Sequence, residues 1–87
     1  MDQFEHAADR YAQLLPAMTT IREMPYWADL RRMAKHCVKI REEISRESVV
    51  CRQRQTITTK YTSLVNEYTE AVDSLEKYVM LAHLSIG

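Results

Sequence analysis

A seven-residue repeat of apolar, thiol or β-branched side chains runs through the last two thirds of this 87-residue chain. Its first column, position a, consists of Leu30, Cys37, Ile44, Cys51, Thr58, Val65, Val72, Val79 and Ile86. The column at position d consists of Met33, Ile40, Glu47, Arg54, Tyr61, Tyr68, Leu75 and Ala82. Because a period of about 3.5 residues keeps one stripe facing a neighbouring helix, the repeat predicts helices that lie against other helices.

Twelve of the apolar and thiol members of these columns define what we call the heptad seam. The seam consists of Leu30, Met33, Cys37, Ile40, Ile44, Cys51, Tyr61, Val65, Tyr68, Val72, Leu75 and Val79. It predicts an all-α protein, a coiled coil or a helical bundle, whose function is binding. We therefore expect a non-enzymatic protein–protein interaction module that assembles through the seam with copies of itself or with another helical protein. A scaffold, an adaptor and a small helical chaperone all fit this description.

The N-terminal segment is predicted to form a separate helix over residues 2–23. Asp2 and Glu5 are placed to cap its first turn, and apolar residues follow at spacings of three and four. Pro16 should kink this helix, because its ring clashes with the preceding turn. Pro25 suits the first position of the next helix, so we expect the chain to fold back at that residue.

Residues 26–86 contain neither glycine nor proline, and two architectures remain open for them. The preferred prediction is one long helical segment over 26–86, with the N-terminal helix folded back beside it. The alternative is a monomeric three-helix bundle with a break within 45–59. Polar residues interrupt the seam there at Glu47 and Arg54, and a cluster of threonines lowers helix propensity. The absence of turn residues favours the long helix, whereas the matched helix lengths favour the bundle.

Composition limits the chain to a single helical interaction domain over residues 1–87. Hydrophobic residues make up 46% of the sequence, enough for a modest core in so short a chain. The acidic start, Met1 to Glu5, is unlike a secretory signal, and no apolar run is long enough to span a membrane. Two cysteines in this context predict reduced thiols. We therefore expect an intracellular protein, cytoplasmic or nuclear, without a membrane partner.

The net charge of zero conceals a basic centre between acidic ends. Residues 31–60 carry nine bases and three acids, whereas residues 61–87 carry one base and four acids. The candidate contacts for an acidic partner are Arg31, Arg32, Lys35, Lys39, Arg46, Arg52 and Lys60. Such a stripe either neutralises acidic helices of the same chain or contacts an acidic protein or a nucleic acid, the alternative function.

Catalytic, cofactor and metal sites are not predicted. His36 and Cys37 are adjacent and would point about 100° apart on a helix, so they cannot bind one ion together. Glu67 and Glu70 share a helix face, but no histidine follows at the spacing of a di-metal site. We interpret them as a solvated acidic face, and we expect no enzymatic activity.

Overall fold

The chain forms three α-helices in the computed structural model, which describes residues 3–20 and 27–86. Helix α1 spans Gln3–Thr20, α2 spans Trp27–Arg54 and α3 spans Thr59–Ile86. The first helix has 18 residues and the other two have 28 each. The all-α prediction is confirmed, and the architecture is a small three-helix bundle in which α3 packs against both α1 and α2.

The prediction of one long helix over 26–86 is wrong, because the chain turns between Arg54 and Thr59. Gln55 adopts a left-handed conformation with φ of 56°. The amide of Thr56 then donates to the carbonyl of Cys51 at 3.1 Å, and the amide of Gln55 donates to the carbonyl of Arg52 at 3.3 Å. This pair of bonds is the Schellman motif that closes many helices. The break therefore falls inside the 45–59 window of the alternative prediction.

Thr58 begins the third helix as its N-cap. Its hydroxyl oxygen accepts a hydrogen bond from the amide of Tyr61 at 3.1 Å, and its carbonyl accepts from the amide of Thr62 at 3.2 Å. The side chain thereby satisfies one of the amides that a helix start leaves without a partner. Threonines that lower propensity inside a helix are well suited to this boundary.

Contacts between side chains set the directions of the three helices. Asp29 lies beside Tyr78, and Glu47 lies beside Thr58, so α2 and α3 are antiparallel. Arg10 pairs with Asp73 at 2.5 Å and with Glu76 at 3.4 Å. The carbonyl of Ala17 lies 3.1 Å from Nε2 of His83, further along both helices, so α1 and α3 are parallel.

One hydrophobic core joins all three helices. The fully buried side chains that form its centre are Leu30, Cys37, Ile44, Tyr68, Val72 and Leu75. Helix α1 adds Ala7, Tyr11, Leu14 and Met18 from its inner face, and the ring of Phe4 lies 5.4 Å from that of Tyr68. The 3.6-residue stripe of each helix thus faces the same interior, which buries it from water.

The N-terminal predictions are met only in part. Helix α1 continues through Pro16 to Thr20, within the expected range of 2–23. Asp2, residues 21–23 and the expected reversal at Pro25 lie outside the described residues.

Candidate interaction surface

The heptad seam is buried inside the chain and is not a surface that a partner can reach. Ten of its twelve residues are buried, and Met33 and Tyr61 are partly buried against the same core. Cys37 and Cys51, which both occupy position a, are free thiols on α2. Because α2 and α3 are antiparallel, the two halves of the seam face each other and α1. Any partner must therefore meet the outer faces of the bundle.

Glu47, the polar residue within the seam, is paired inside the chain. Its side chain is 9% exposed, and Oε2 accepts a hydrogen bond of 2.6 Å from the hydroxyl of Thr58. Sγ of Cys51 lies 3.6 Å from the same hydroxyl. These two contacts connect the N-cap of α3 to the last turns of α2. Arg54, the other polar residue at position d, is exposed beside the turn.

An open groove of about 630 Å³ runs between α2 and α3, and among the described residues its lining comes from these two helices. Met33 and Ala71 form a partly buried apolar floor. Arg32 and His36 border the groove on the α2 side, where both side chains are exposed. The groove combines an apolar floor with polar edges, which is the surface that an amphipathic helix covers.

The opposite edge of this groove is acidic. Glu67 and Glu70 border it on the α3 side and are exposed. Ser74 is also exposed, and it lies between these glutamates and the end of the groove at Tyr78. At that end the hydroxyl of Tyr78 lies 3.2 Å from Oδ2 of Asp29. Across the apolar floor, the acidic α3 edge therefore faces an α2 edge that carries His36 and the Arg32–Asp29 ion pair.

A smaller groove of about 330 Å³ lies between α1 and α2. Tyr11, Met18 and Trp27 contribute to its apolar lining, and Arg31 and Lys35 stand at its border. The α2–α3 groove is the larger of the two.

All seven predicted basic contacts are exposed on the bundle. Six of them project from α2, and Lys60 projects from the first turn of α3. The guanidinium of Arg32 pairs with the carboxylate of Asp29 one turn earlier. In contrast, the acidic α3 pair Asp73 and Glu76 is engaged by Arg10 of α1. The outer faces of α2 and α3 therefore carry opposite charge.

The core contains titratable groups, but burial keeps them neutral. Burial raises the pKa of the Cys37 thiol to about 11, and it raises the pKa of the phenols of Tyr11 and Tyr68. A thiol with so high a pKa is a poor nucleophile at neutral pH. Within residues 3–20 and 27–86, no group of three or more His, Cys, Asp or Glu side chains is arranged to hold a metal ion. No helix in this part of the chain is long and apolar enough to cross a membrane.

Of the seven basic contacts that the sequence predicts, Arg32 lines the α2–α3 groove, whereas Arg31 and Lys35 line the smaller one. The sequence does not predict the groove itself: Glu67 and Glu70 are interpreted as a solvated face, and neither Ala71 nor Ser74 is assigned to a groove. Their small side chains next to Met33 are the signal, since they leave room above the contact between the two helices.

The described part of the chain is thus a three-helix bundle with an open groove between α2 and α3 and a smaller one between α1 and α2. The chain matches no protein-family model, no curated protein and no solved structure.

Proposed function

We propose that this chain is a non-enzymatic helical interaction module, a scaffold, an adaptor or a small helical chaperone, that binds a helix in the α2–α3 groove. The observation that carries the proposal is the groove of about 630 Å³, with its apolar floor, its polar α2 edge and its acidic α3 edge. A helix with an apolar stripe, acidic on one side and basic on the other, complements that surface. The proposal moves the contact from the buried heptad seam to the outer side of the same two helices.

A groove-blocking substitution tests this function. Ser74→Arg places a long side chain in the groove, whereas Ser63→Arg makes the same change at an exposed position of α3 that does not line it. The probe is a designed amphipathic helical peptide with a Leu/Ala stripe flanked by Glu on one side and Lys on the other. Titration of isotope-labelled protein should shift the amide signals of Met33, Ala71 and Ser74.

Ser74→Arg should abolish these shifts, and Ser63→Arg should leave them unchanged. The absence of saturable shifts in the wild type contradicts the proposal. Equal loss in both variants contradicts it as well, because binding would then not depend on the groove.

The alternative function is contact with a nucleic acid or an acidic protein through the basic residues of α2 and Lys60 of α3. The exposure of all seven predicted basic contacts supports this alternative. Changing Arg32, Lys39, Arg46 and Lys60 together to Gln should then abolish retention on nucleic acid and preserve the helical content. For duplex DNA, the wild-type affinity should fall with salt with a log–log slope of about −0.9 per neutralised phosphate. Wild-type protein that is not retained at low salt excludes the nucleic-acid form of this alternative.

A further inference from the structure

We propose that the partner that covers the α2–α3 groove is a second copy of this chain, which packs the same face against it with each α2 lying antiparallel to the other copy's α3. The proposal rests on the function proposed above and names the partner of the same groove. It makes the groove an isologous interface, in which each chain offers the same surface to the other.

Charge complementarity is the first argument for a second copy. Beyond the Arg32–Asp29 ion pair, the α2 side of the groove carries His36, with Lys39 one turn further along the outer face of α2. The α3 edge carries Glu67 and Glu70. A two-fold axis parallel to the helices places the basic edge of each chain opposite the acidic edge of the other. In this arrangement each edge faces an edge of opposite charge. A helix that carries charges of only one sign cannot complement both edges.

The helical register brings matching residues to the same height. Asp29 lies level with Tyr78, and Glu47 lies level with Thr58, which fixes how α2 and α3 are aligned. By the same alignment, Lys39 is within one residue of the height of Glu67, and His36 is within one residue of Glu70. A two-fold axis along the bundle preserves these heights. It therefore sets Lys39 opposite Glu67 of the second copy, and His36 opposite Glu70 of the second copy.

These groups are available for such contacts. Lys39, Glu67 and Glu70 are exposed, and none of them forms an ion pair with another residue in the described part of the chain. Helix α1 does not obstruct the groove, because Arg10 holds it against another face of α3 through Asp73 and Glu76. The charges that α1 neutralises are thus separate from those offered to the second copy.

The size of the face suits a dimer. Two helices of 28 residues are each about 42 Å long at about 1.5 Å per residue. Side by side they present a face of about 20 Å in width, on the order of 800 Å² per chain. This is about the area that each partner contributes to a standard protein interface.

Complementary charge reversals test the pairing. Lys39→Glu places carboxylates opposite each other across the interface. Glu67→Lys places ammonium groups opposite each other in the same way. Each variant alone should be a monomer in light scattering at concentrations at which the wild type is a dimer, with dimer affinity reduced about tenfold or more. An equimolar mixture should form a heterodimer with about wild-type affinity, because both contacts are then Lys–Glu pairs. The matched control is Lys35→Glu, which reverses an exposed lysine of α2 that borders the other groove.

Circular dichroism confirms that each variant is folded before its mass is measured. A wild type that stays monomeric overturns the second copy as partner, while binding of the designed peptide would still support the proposed function. A wild-type dimer whose two reversals fail to associate when mixed also overturns the pairing. Loss of the dimer in Lys35→Glu equal to that in Lys39→Glu overturns it too, because the dimer would then not depend on this groove.

Discussion

A single residue, Gln55, determines where the long helical segment divides. Its left-handed φ of 56° turns the chain out of α2 and allows the two hydrogen bonds that close the helix. Glycine is the usual residue at this position, because the Cβ of an L-residue clashes with the adjacent carbonyl. The left-handed conformation of Gln55 therefore lowers the stability of the folded chain by about 1 kcal/mol.

Replacing Gln55 with glycine should stabilise the protein. The substitution removes the Cβ clash, and the gain of up to about 1 kcal/mol is reduced by the greater freedom of glycine in the unfolded chain. Urea unfolding followed by circular dichroism measures the change. The matched control is Gln53→Gly, two residues earlier within α2, which should destabilise the protein by about 1 kcal/mol. A lower stability for Gln55→Gly would show that the turn does not need a left-handed residue.

The Cys37 thiol makes the free energy of unfolding depend on pH in the alkaline range. Burial raises the pKa of its thiol from an ordinary 9.0 to about 11 in the folded state. The thiol therefore contributes stability that is complete below about pH 9 and is lost as pH rises towards 11. We expect the free energy of unfolding to fall by about 2 kcal/mol from this group by pH 11.

Unfolding curves at several alkaline pH values measure this loss, and Cys37→Ala serves as the control. The variant should lose less stability over the same pH range, although Tyr11 and Tyr68 still titrate, since burial raises their pKa as well. An identical pH dependence in the variant and the wild type would mean that the thiol is not the titrating group.

At the scale of the elements, the α2–α3 hairpin is joined next to its turn by the polar contacts of the Thr58 side chain. Thr58 caps α3 and donates a hydrogen bond to the buried carboxylate of Glu47 on α2. A partly desolvated carboxylate without a donor is costly. The two residues therefore stabilise the hairpin as a unit, and the seam accommodates a charged residue without a partner chain.

A double-mutant cycle should detect this unit. Thr58→Val should cost about 1 kcal/mol for the lost cap and more for the carboxylate left without its donor. In a Glu47→Leu background the same change should cost less, with a coupling of about 1 kcal/mol. Chemical unfolding of the four proteins gives the coupling energy. Arg54→Leu in place of Glu47→Leu should give no coupling, and additive energies for Thr58 and Glu47 would contradict the contact.

At the scale of the whole molecule, the core is shared by three helices, and the described residues extend over 50 × 23 × 17 Å. Residues of α1, α2 and α3 contribute to one cluster, so the loss of a central side chain affects every helix. Ile44 is 1% exposed within this cluster, whereas Val49, on the same helix, is 46% exposed.

Ile44→Asp should unfold the chain, and Val49→Asp should not. The first substitution buries an unpaired charge and removes core packing, which costs on the order of 3 kcal/mol or more. The second places the charge in water and should change stability by less than about 0.5 kcal/mol. Circular dichroism of the two variants provides the comparison. Native helicity in Ile44→Asp would contradict the position of Ile44 in the core.

The sequence by itself determined that the protein is helical and which side of each helix is apolar. Leu30, Cys37 and Ile44 repeat at heptad spacing, and the same spacing recurs in Val65, Val72 and Val79. That periodicity is a local property, because it follows from the angle between successive residues of a helix. Each stripe had to be buried, and each one is buried.

Only the tertiary structure decided which helices cover the stripes. The break at Gln55 carries no glycine or proline signal, and the cap at Thr58 gains from Glu47, eleven residues earlier in the chain. Once the chain turns there, the two halves of the seam cover each other, and the seam stops being an external surface. The groove between Met33 and Ala71 depends likewise on residues far apart in sequence. A periodic pattern specifies the face that a helix must bury, but the partner is set by long-range packing and by the backbone conformation of one residue.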